Sequence, residues 1–565
     1  MQQHILKATE AGEVMSLVLR SPHECNHVNV CTALYRVAKL TDGGALAPPH
    51  DASLSRLMAV AEELLQEDRF TARHLSNLAV ALARLGDPSS PLLPDIARAF
   101  AAKAASASVG ELAMVLWAYA TLQRREPALF DAVAQALLPR VADMAMKELC
   151  TAAWALSSAD HYNQALMEAL AGAFKAQAAG AARAGGGVRA LPQDLSMLAW
   201  AFSHMSDSRW TLQPCAVELL QQAIEPQVLA TLRRFRPPDL AQLATAMARL
   251  SYDSEPLLRG ICSASLLQLD AFSSRELNAL LLAMAKASLD FSDEELLREL
   301  PRHVNRQLAA RKFTRQELVN MAWSMAVLDV VDAQLLNAIL TTVQGMGPLP
   351  DRELHQVHQV CLVFAERVPE AFRGVDGELL QSARDAWRAE KRREKQSSAR
   401  HLDVSKCLAL MGVEHRNESE HDIDIEHRNE SEHDIDIEVV GVGLRLMSSD
   451  NDNNEDSSAQ QASPSEDDHV PLRVAIEVDG PGHFTCNSRR SLGHTVLKHR
   501  ILAQLGWTVV QVPFYHWDRI PFWASMERKR YLQRKLGITR TIHFGARDWS
   551  TYRPIGAGQK STRFD

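Results

Sequence analysis

The sequence predicts an α-solenoid of helical-pair repeats followed by a small C-terminal α/β domain. An apolar motif recurs about every 37 residues through the first two thirds of the chain, and a strand–helix–strand pattern follows near its end. The length of 565 residues also exceeds what one hydrophobic core usually serves. We therefore expect a repeat array over residues 1–380 and at least one further domain.

The recurring motif begins with an apolar anchor residue near the start of a helix. The nine anchors are Val30, Leu75, Leu112, Leu149, Leu195, Leu240, Leu277, Leu318 and Leu354. Apolar residues stand three, four and seven places beyond each anchor, on one helix face, and small residues mostly take the sixth place. An acidic residue precedes most anchors, where the helix dipole favours negative charge. This combination is typical of helices that pack against neighbours on both sides.

Each unit has room for a second helix before the next anchor. The stretches 127–141 and 333–345 have helical patterns of this kind. Helix pairs that repeat with this period stack into a solenoid, because each pair buries its apolar face on the next. The Gly/Ala-rich stretch 179–191 is predicted to be a loop that lengthens one unit.

The period and the motif resemble octotricopeptide repeats, the helical-pair RNA-binding repeats of organelle gene-expression factors. The resemblance covers about 30–365 and is clearest where the motif reads AWAL, AWAF or AWSM. If the array reads one base per repeat, polar residues in the turn after the anchor are the expected base contacts. These candidates are Asn77, Thr151, Ser196, Gln242, Asn278, Asn320, His355 and Gln356. The alternative interpretation is an ordinary exposed first turn.

Four tryptophans stand at the fifth place beyond the anchor. They are Trp117, Trp154, Trp200 and Trp323. One interpretation is that they stack on bases. We favour packing within or between repeats, because Val80, Thr245 and Leu282 take the same place in other units.

A connector and an acidic linker follow the array. Residues 381–413 are charged and helical in pattern, with a short predicted helix at 402–412. EHRNESEHDIDI then occurs twice in tandem, and 414–468 contains 18 acidic residues against three arginines. The apolar-poor stretch 447–469 is predicted to be disordered, so 414–470 is assigned as a linker.

The α/β domain is assigned to 471–540 and a tail to 541–565. Its pattern predicts a strand ending in a turn over 473–484, a helix over 492–507, a strand over 508–520 and a basic helix over 526–537. Two apolar strands joined by a helix predict a parallel pair. Because 471–565 contains 16 lysines and arginines against six acidic residues, this end favours a polyanion as its partner.

The segments EVDGPGHF, LKHRILAQLGW, VVQVPFYHWD and YLQRKL resemble the successive motifs of the RAP domain over about 400–540, so the domain takes in 400–446 on this basis. That domain is predicted to bind RNA and occurs in the FAST kinase domain family and in octotricopeptide proteins of mitochondria and chloroplasts. The motif residues are Glu477, Asp479, Gly480, Pro481, His483, Phe484, Trp507, Pro513 and Trp517.

The two resemblances imply single-stranded RNA and proteins of a ribonucleoprotein complex as partners, in a mitochondrion or chloroplast. No targeting peptide and no membrane span can be identified in the sequence. The expected phosphate contacts lie on the basic helix and are Arg528, Lys529, Arg530, Arg534 and Lys535.

Catalysis is the remaining question. The RAP domain is similar in outline to restriction-endonuclease-like folds, which bind Mg²⁺ with an Asp and a later Glu-x-Lys. The candidates are Asp436 (or Asp424 in the other copy), Glu477, Asp479 and Lys498. Asp479 occupies the place of the motif lysine, so Lys498 would have to reach in from the following helix. We favour a structural role, in which Glu477 and Asp479 bind turn N–H groups or arginines such as Arg500.

No phosphate-binding glycine loop and no C-x-x-C pair occurs, so the sequence predicts neither a cofactor nor a zinc site. An RNA-binding factor is the preferred hypothesis. A metal-dependent endoribonuclease and a protein-interaction scaffold are the alternatives.

Overall fold

The computed structural model describes residues 1–20, 25–41, 48–183, 190–208, 212–287, 291, 295–310, 313–391, 398–417, 435–439 and 473–537. Asp424, the predicted disordered stretch 447–469 and the tail 541–565 lie outside these residues. The chain forms two compact units. The first comprises Met1–Leu380 and Phe484–His494, and the second comprises Gln381–His483 and Thr495–Asp565.

The part of the chain up to Lys391 is helical. Its α-helices are α1 (Gln2–Lys7), α2 (Ala11–Arg20), α3 (His27–Thr41), α4 (Pro48–Gln66), α5 (Ala72–Leu85), α6 (Leu92–Lys103), α7 (Val109–Thr121), α8 (Pro127–Leu137), α9 (Met146–Ser158), α10 (Gln164–Arg183), α11 (Pro192–Ser208), α12 (Gln213–Leu219), α13 (Glu225–Thr231), α14 (Pro237–Leu250), α15 (Glu255–Leu266), α16 (Ser274–Lys286), α17 (Glu295–Ala309), α18 (Arg315–Leu328), α19 (Ala333–Gln344), α20 (Asp351–Phe364) and α21 (Gly377–Lys391).

All nine anchors lie in helices, and these helices form one layer. The anchor helices α3, α5, α7, α9, α11, α14, α16, α18 and α20 pack against one another in chain order. The second helices form another layer, in which α4 contacts α6, α6 contacts α8, α15 contacts α17 and α17 contacts α19. The predicted second helices at 127–141 and 333–345 are α8 with a following 3₁₀ turn, and α19. The predicted helical-pair array is confirmed.

The acidic residue before the anchor caps the start of most anchor helices. In six units its carboxylate accepts a hydrogen bond from the backbone N–H three residues earlier. These carboxylates belong to Glu111 (2.9 Å), Glu148 (2.8 Å), Asp194 (3.2 Å), Asp239 (3.2 Å), Glu276 (2.8 Å) and Glu317 (2.8 Å). A backbone donor at the helix start is thereby satisfied, as in a capping box. The repeated acid has a hydrogen-bonding role as well as a favourable place in the helix dipole.

The predicted loop at 179–191 is partly wrong, because α10 continues to Arg183 and 184–189 lie outside the described residues. The alanines of this stretch favour helix strongly enough to extend it through Gly180. The predicted strand 508–520 also ends early, at Gln511, and a short helix follows Pro513. Within the described part of the chain, none of the helices combines the length and the apolar character that a bilayer crossing requires.

The second unit is built on a four-stranded sheet. Its strands are β1 (His415–Asn417), β2 (Ile437–Val439), β3 (Arg473–Glu477) and β4 (Trp507–Gln511), and its further helices are α22 (Ala399–Leu410), α23 (Gly493–Gln504), α24 (Phe514–Trp517) and α25 (Ser525–Lys535). The strand order is β1-β2-β3-β4, with antiparallel pairs up to β3 and a parallel β3–β4 pair. The predicted strand–helix–strand unit with parallel pairing is confirmed.

The two faces of the sheet are covered by different helices. Val474, Ile476 and Val510 pack on one face with residues of α22 and α25. Ala475 packs on the other face with Leu502 of α23. Because side chains alternate along a strand, Glu477 lies on the face that α23 covers. The fold therefore places the carboxylate at the end of β3 beside α23.

Candidate nucleic-acid interface

The first two places beyond the anchor differ in burial in most anchor helices. We call the second place beyond the anchor the outer position. It is occupied by Thr32, Asn77, Met114, Thr151, Met197, Gln242, Ala279, Asn320 and Gln356, all of them half-buried except the buried Thr151. At the first place beyond the anchor, the side chains of Ser76, Cys150, Ser196 and Asn278 are buried, whereas His355 is half-buried. The outer position therefore presents side chains on one surface of the anchor-helix layer.

The buried side chains at the first place make hydrogen bonds between or within repeats. Ser76 Oγ donates to the carbonyl oxygen of Glu111 in the next repeat at 3.3 Å. Cys31 Sγ makes the equivalent contact with the carbonyl oxygen of His74 at 3.4 Å. Ser196 Oγ instead donates within its own helix. Small polar residues at this place are explained by packing.

The base-contact candidates divide accordingly. Thr151, Ser196 and Asn278 are buried, and Thr151 Oγ1 donates to the carbonyl oxygen of Lys147 at 2.8 Å. The half-buried candidates are Asn77, Gln242, Asn320, His355 and Gln356. Gln356 Nε2 donates to Asn320 Oδ1 at 3.1 Å, so outer positions of adjacent repeats are within contact of each other.

The tryptophans at the fifth place differ in exposure. Trp323 is buried, and its Nε1 donates to Gln359 Oε1 of the next repeat at 2.6 Å. Trp200 is half-buried and stacks on His204, with ring centroids 4.9 Å apart. Trp117 and Trp154 are also half-buried. Packing between repeats accounts for Trp323, and the other rings have partly open surfaces.

The second unit brings the four catalytic candidates together at the carboxyl ends of β3 and β4. Glu477 and Asp479 are 1% and 2% exposed. Lys498 of α23 forms an ion pair with Glu477. Asp436 Oδ2 accepts from the backbone N–H of Val478 at 2.7 Å. Lys498 thus reaches in from the helix, as the nuclease interpretation requires.

Asp479 is surrounded by polar side chains of its own unit. Gln511 Nε2 donates to Asp479 Oδ2 at 2.6 Å, and His483 Nδ1 lies 3.2 Å from Asp479 Oδ1. His499 Nε2 lies 3.8 Å from Oδ2, and burial lowers the pKa of His499. Burial has the opposite effect on a carboxyl group and raises the pKa of Glu477 to about 8, although the positive charge of Lys498 acts to lower it. These contacts connect the segment after β3 with β4 and α23.

The contacts of the cluster give little support to a magnesium site. Glu477 is directed to the ammonium of Lys498, and nearly all of its surface is buried. No group of three or more acidic, histidine or cysteine residues with metal-binding geometry occurs among the residues that the structure describes. A hard cation such as Mg²⁺ needs several oxygen ligands and usually keeps bound waters. These contacts favour the structural role of Glu477 and Asp479.

We expect the purified protein to leave RNA intact in Mg²⁺ or Mn²⁺. The measurement is a gel assay of labelled single-stranded RNA, with EDTA as the metal-free control. A metal-dependent cleavage that is lost in the double variant Glu477→Gln and Asp479→Asn, with the fold retained in circular dichroism, would contradict this expectation.

The basic helix α25 presents only part of its charge to solvent. Arg528 and Lys529 are each 8% exposed. Arg528 forms an ion pair with Asp403 of α22, and its Nε and Nη2 donate to the carbonyl oxygen of Ile520 at 3.2 and 3.0 Å. Its guanidinium lies 4.9 Å from the ring centroid of Trp517. Arg528 is therefore used by the fold and is not available to a phosphate.

Arg530, Arg534 and Lys535 are exposed, so among the five predicted phosphate contacts these three are accessible. Helical periodicity applied to 526–537 would have separated them from Arg528 and Lys529, which face the core with Tyr531 and Leu532. The role of Asp403 was missed, because a lone acid in a short helix gives no signal of its partner.

Several motif residues of the resemblance are core residues. Trp517 is buried and its Nε1 donates to Asp403 Oδ2 at 2.9 Å. Trp507 is buried beside Leu502. Pro513 stands at the start of α24, and Phe484 falls in the first unit. The segment also contains an exposed aromatic pair, Phe522 and Trp523, that the strand and helix patterns left unassigned.

Comparison with known proteins matches residues 476–535 to the family described as RAP domain. A chloroplastic RAP domain-containing protein of Oryza sativa subsp. japonica is 38% identical over 69 residues, which are 12% of this chain and 10% of that protein. The mitochondrial FAST kinase domain-containing protein 3 of Homo sapiens is 37% identical over 75 residues, 13% and 11% of the two chains. Its counterpart in Bos taurus is 41% identical over 70 residues, 12% and 10%.

The matches to these relatives span about a tenth of the relatives' length, and the family match lies in the C-terminal region of this chain. The chain therefore carries a RAP domain near its C-terminus, and the helical array precedes this domain in the sequence. The names of these relatives place them in chloroplasts and mitochondria.

Proposed function

We propose that this protein is an RNA-binding factor that acts in organelle RNA processing, stability or translation. The observation that carries the proposal is the combination of a RAP domain with an array of helical pairs, in a chain whose RAP-domain relatives are named chloroplastic and mitochondrial. The exposed cations of α25 add a surface to which a polyanion binds favourably.

In this proposal the two units make different kinds of contact. Four of the nine outer positions, Asn77, Gln242, Asn320 and Gln356, carry half-buried amide groups that match the hydrogen-bonding edges of unpaired bases. Arg530, Arg534 and Lys535 contact phosphates, which contribute affinity without sequence information. The array would specify the RNA and the RAP domain would strengthen the binding.

Crosslinking in cells followed by sequencing of the bound RNA tests the proposal. We expect a defined set of organelle transcripts to be recovered, and an enriched single-stranded motif to occur within them. A protein-interaction scaffold would give no enriched RNA and no measurable affinity of the purified protein for single-stranded RNA, so that result would overturn the proposal.

Replacement of Asn77, Gln242 and Asn320 by alanine is expected to reduce discrimination between the recovered motif and mismatched RNA. Each lost hydrogen bond is worth about 0.5–1.5 kcal/mol, or a roughly two- to tenfold loss at each base. The salt dependence of binding should stay nearly unchanged, because these side chains are neutral. Fluorescence anisotropy titrations with matched and mismatched RNA measure both quantities.

The control replaces three buried polar residues of other anchor-helix positions, Ser76, Ser196 and Asn278, by alanine. These residues stand at the first place beyond the anchor and are inaccessible to a base. The control variant should keep its sequence discrimination. Equal loss in both variants would show that the effect comes from the packing of the array and not from the outer positions.

A further inference from the structure

The second unit carries two exposed aromatic rings between α24 and α25. Phe522 is 79% and Trp523 is 73% exposed. Their ring centroids lie 5.1 Å apart, and the ring planes are inclined at 83°. Large aromatic side chains usually gain by burial, so an exposed adjacent pair indicates a binding surface.

The loop that carries the pair is tightly held. The backbone N–H of Ala524 donates to the carbonyl oxygen of Pro521 at 2.9 Å, across the two aromatic residues. The carbonyl oxygen of Ile520 accepts two hydrogen bonds from Arg528, which is itself paired with Asp403. The rings are thus presented by a backbone that is fixed on both sides, and little conformational entropy is lost when a ligand binds them.

The surroundings of the pair are cationic. Arg519 precedes the loop and is exposed, and Arg530 and Arg534 follow on α25. Met526, Arg530 and Arg534 are spaced by four residues and share one exposed helix face that begins beside the loop. The two arginines are about 6 Å apart along the helix axis. The exposed acids nearby are Glu527 on this helix and Asp518, and Asp518 forms an ion pair with Arg400, so positive charge prevails over the surface.

Exposed rings next to exposed arginines match the two chemical features of a single nucleic-acid strand. An unpaired base offers a flat face that stacks on an aromatic ring, and the phosphates on either side bind cations. A purely apolar partner would leave the arginines without a matching charge. A polyanion without bases would leave the rings exposed.

We propose that Phe522 and Trp523 form a stacking platform for unpaired bases of single-stranded RNA, with Arg519, Arg530 and Arg534 on the adjoining phosphates. This proposal rests on the proposed RNA-binding function and assigns the RAP domain a direct contact with bases in addition to phosphates. Stacking tolerates any base, so the platform adds affinity that depends on unpaired bases but little on their sequence.

The test compares the full-length parent with the double variant Phe522→Ala and Trp523→Ala. The probes are a fluorescein-labelled single-stranded RNA and a strand of equal length that lacks bases at its central positions. The variant is expected to bind the base-bearing strand about 5- to 150-fold more weakly, as for the loss of one stacked base. Its affinity for the abasic strand should equal that of the parent, and its salt dependence should not change.

Three further variants make the result specific. Phe522→Leu with Trp523→Leu keeps an apolar surface without a ring and should lose the same affinity. Phe522→Tyr with Trp523→Tyr keeps two rings and should retain most of it. Leu402→Ala removes a different exposed apolar side chain of the second unit and should bind like the parent.

Equal binding of the base-bearing strand by the parent and the alanine variant would overturn the platform. Equal weakening on both strands would overturn it too, because the effect would not depend on bases. If the alanine variant binds RNA normally but changes from dimer to monomer in light scattering, the rings join two copies of the chain instead. If the parent itself fails to bind RNA, the proposed function fails, which is a different outcome from any of these.

Discussion

Replacement of Arg528 by alanine is expected to destabilise the second unit by about 3 kcal/mol. Removal of one partner of a buried ion pair typically costs about 3–5 kcal/mol, and the partial exposure of Asp403 favours the lower end of that range. The change also removes two hydrogen bonds to the carbonyl oxygen of Ile520 and the contact with the Trp517 ring. Hydrogen–deuterium exchange of the β3 amides in the full-length protein measures the effect.

The matched control is Arg530→Ala, on the same helix. Arg530 is exposed, and its replacement removes the same charge as the replacement of Arg528. The stability that is measured from β3 exchange should therefore change by no more than about 0.5 kcal/mol. Similar exchange rates in the two variants would mean that the Asp403–Arg528 pair does not stabilise the second unit.

Arg528 also illustrates what the sequence could and could not predict. The basic helix was predicted within two residues of its bounds, because its charge and its Leu532 and Leu536 pattern are local features. The use of Arg528 by the core depends on Asp403, which is 125 residues away. No local pattern specifies such a pair. The basic composition of the helix therefore predicts that all five of its cations contact RNA phosphates.

The repeat array shows the same limit at a finer scale. The anchors and the capping acids follow from a periodic pattern, and all nine anchors lie in helices. Whether the first or the second place beyond the anchor faces outward depends on how far adjacent helices are rotated against each other. A shift of one residue turns a helix by about 100° and exchanges a buried for an exposed side chain. This is why Ser196 and Gln242 were grouped together although only Gln242 is accessible.

The sequence predicts which residues form the carboxylate cluster, but it does not predict their chemical role. In the structure β3 ends at Glu477, Asp479 stands two residues beyond it, and Lys498 pairs with Glu477. The depth of burial favours the structural interpretation, because a carboxylate that is nearly inaccessible to solvent and is paired with a lysine is poorly placed to bind a hydrated cation. Burial at the end of a short strand is set by the helix packed over it, which the sequence pattern does not reveal.

Reversal of the exposed cations of α25, with Arg530, Arg534 and Lys535 each changed to Glu, is expected to weaken RNA binding by about tenfold or more at low salt. The loss should be nearly the same for every RNA sequence, because phosphate contacts position the strand without reading it. The slope of log affinity against log salt should fall in magnitude by roughly 2, since about 0.7 counterions are released for each single-strand phosphate contact.

The control reverses three exposed arginines of the second helix layer, Arg98 on α6 with Arg302 and Arg306 on α17. It produces the same change in net charge on helices outside the anchor layer and outside the RAP domain, so it separates a local contact from the general effect of charge on association. The control should retain most of the salt slope of the parent. If the α25 variant binds RNA as tightly as the parent, its cations are not phosphate contacts, and a protein partner becomes the better explanation for that surface. If both variants lose affinity equally, the RNA responds to the overall field of the protein rather than to the RAP domain.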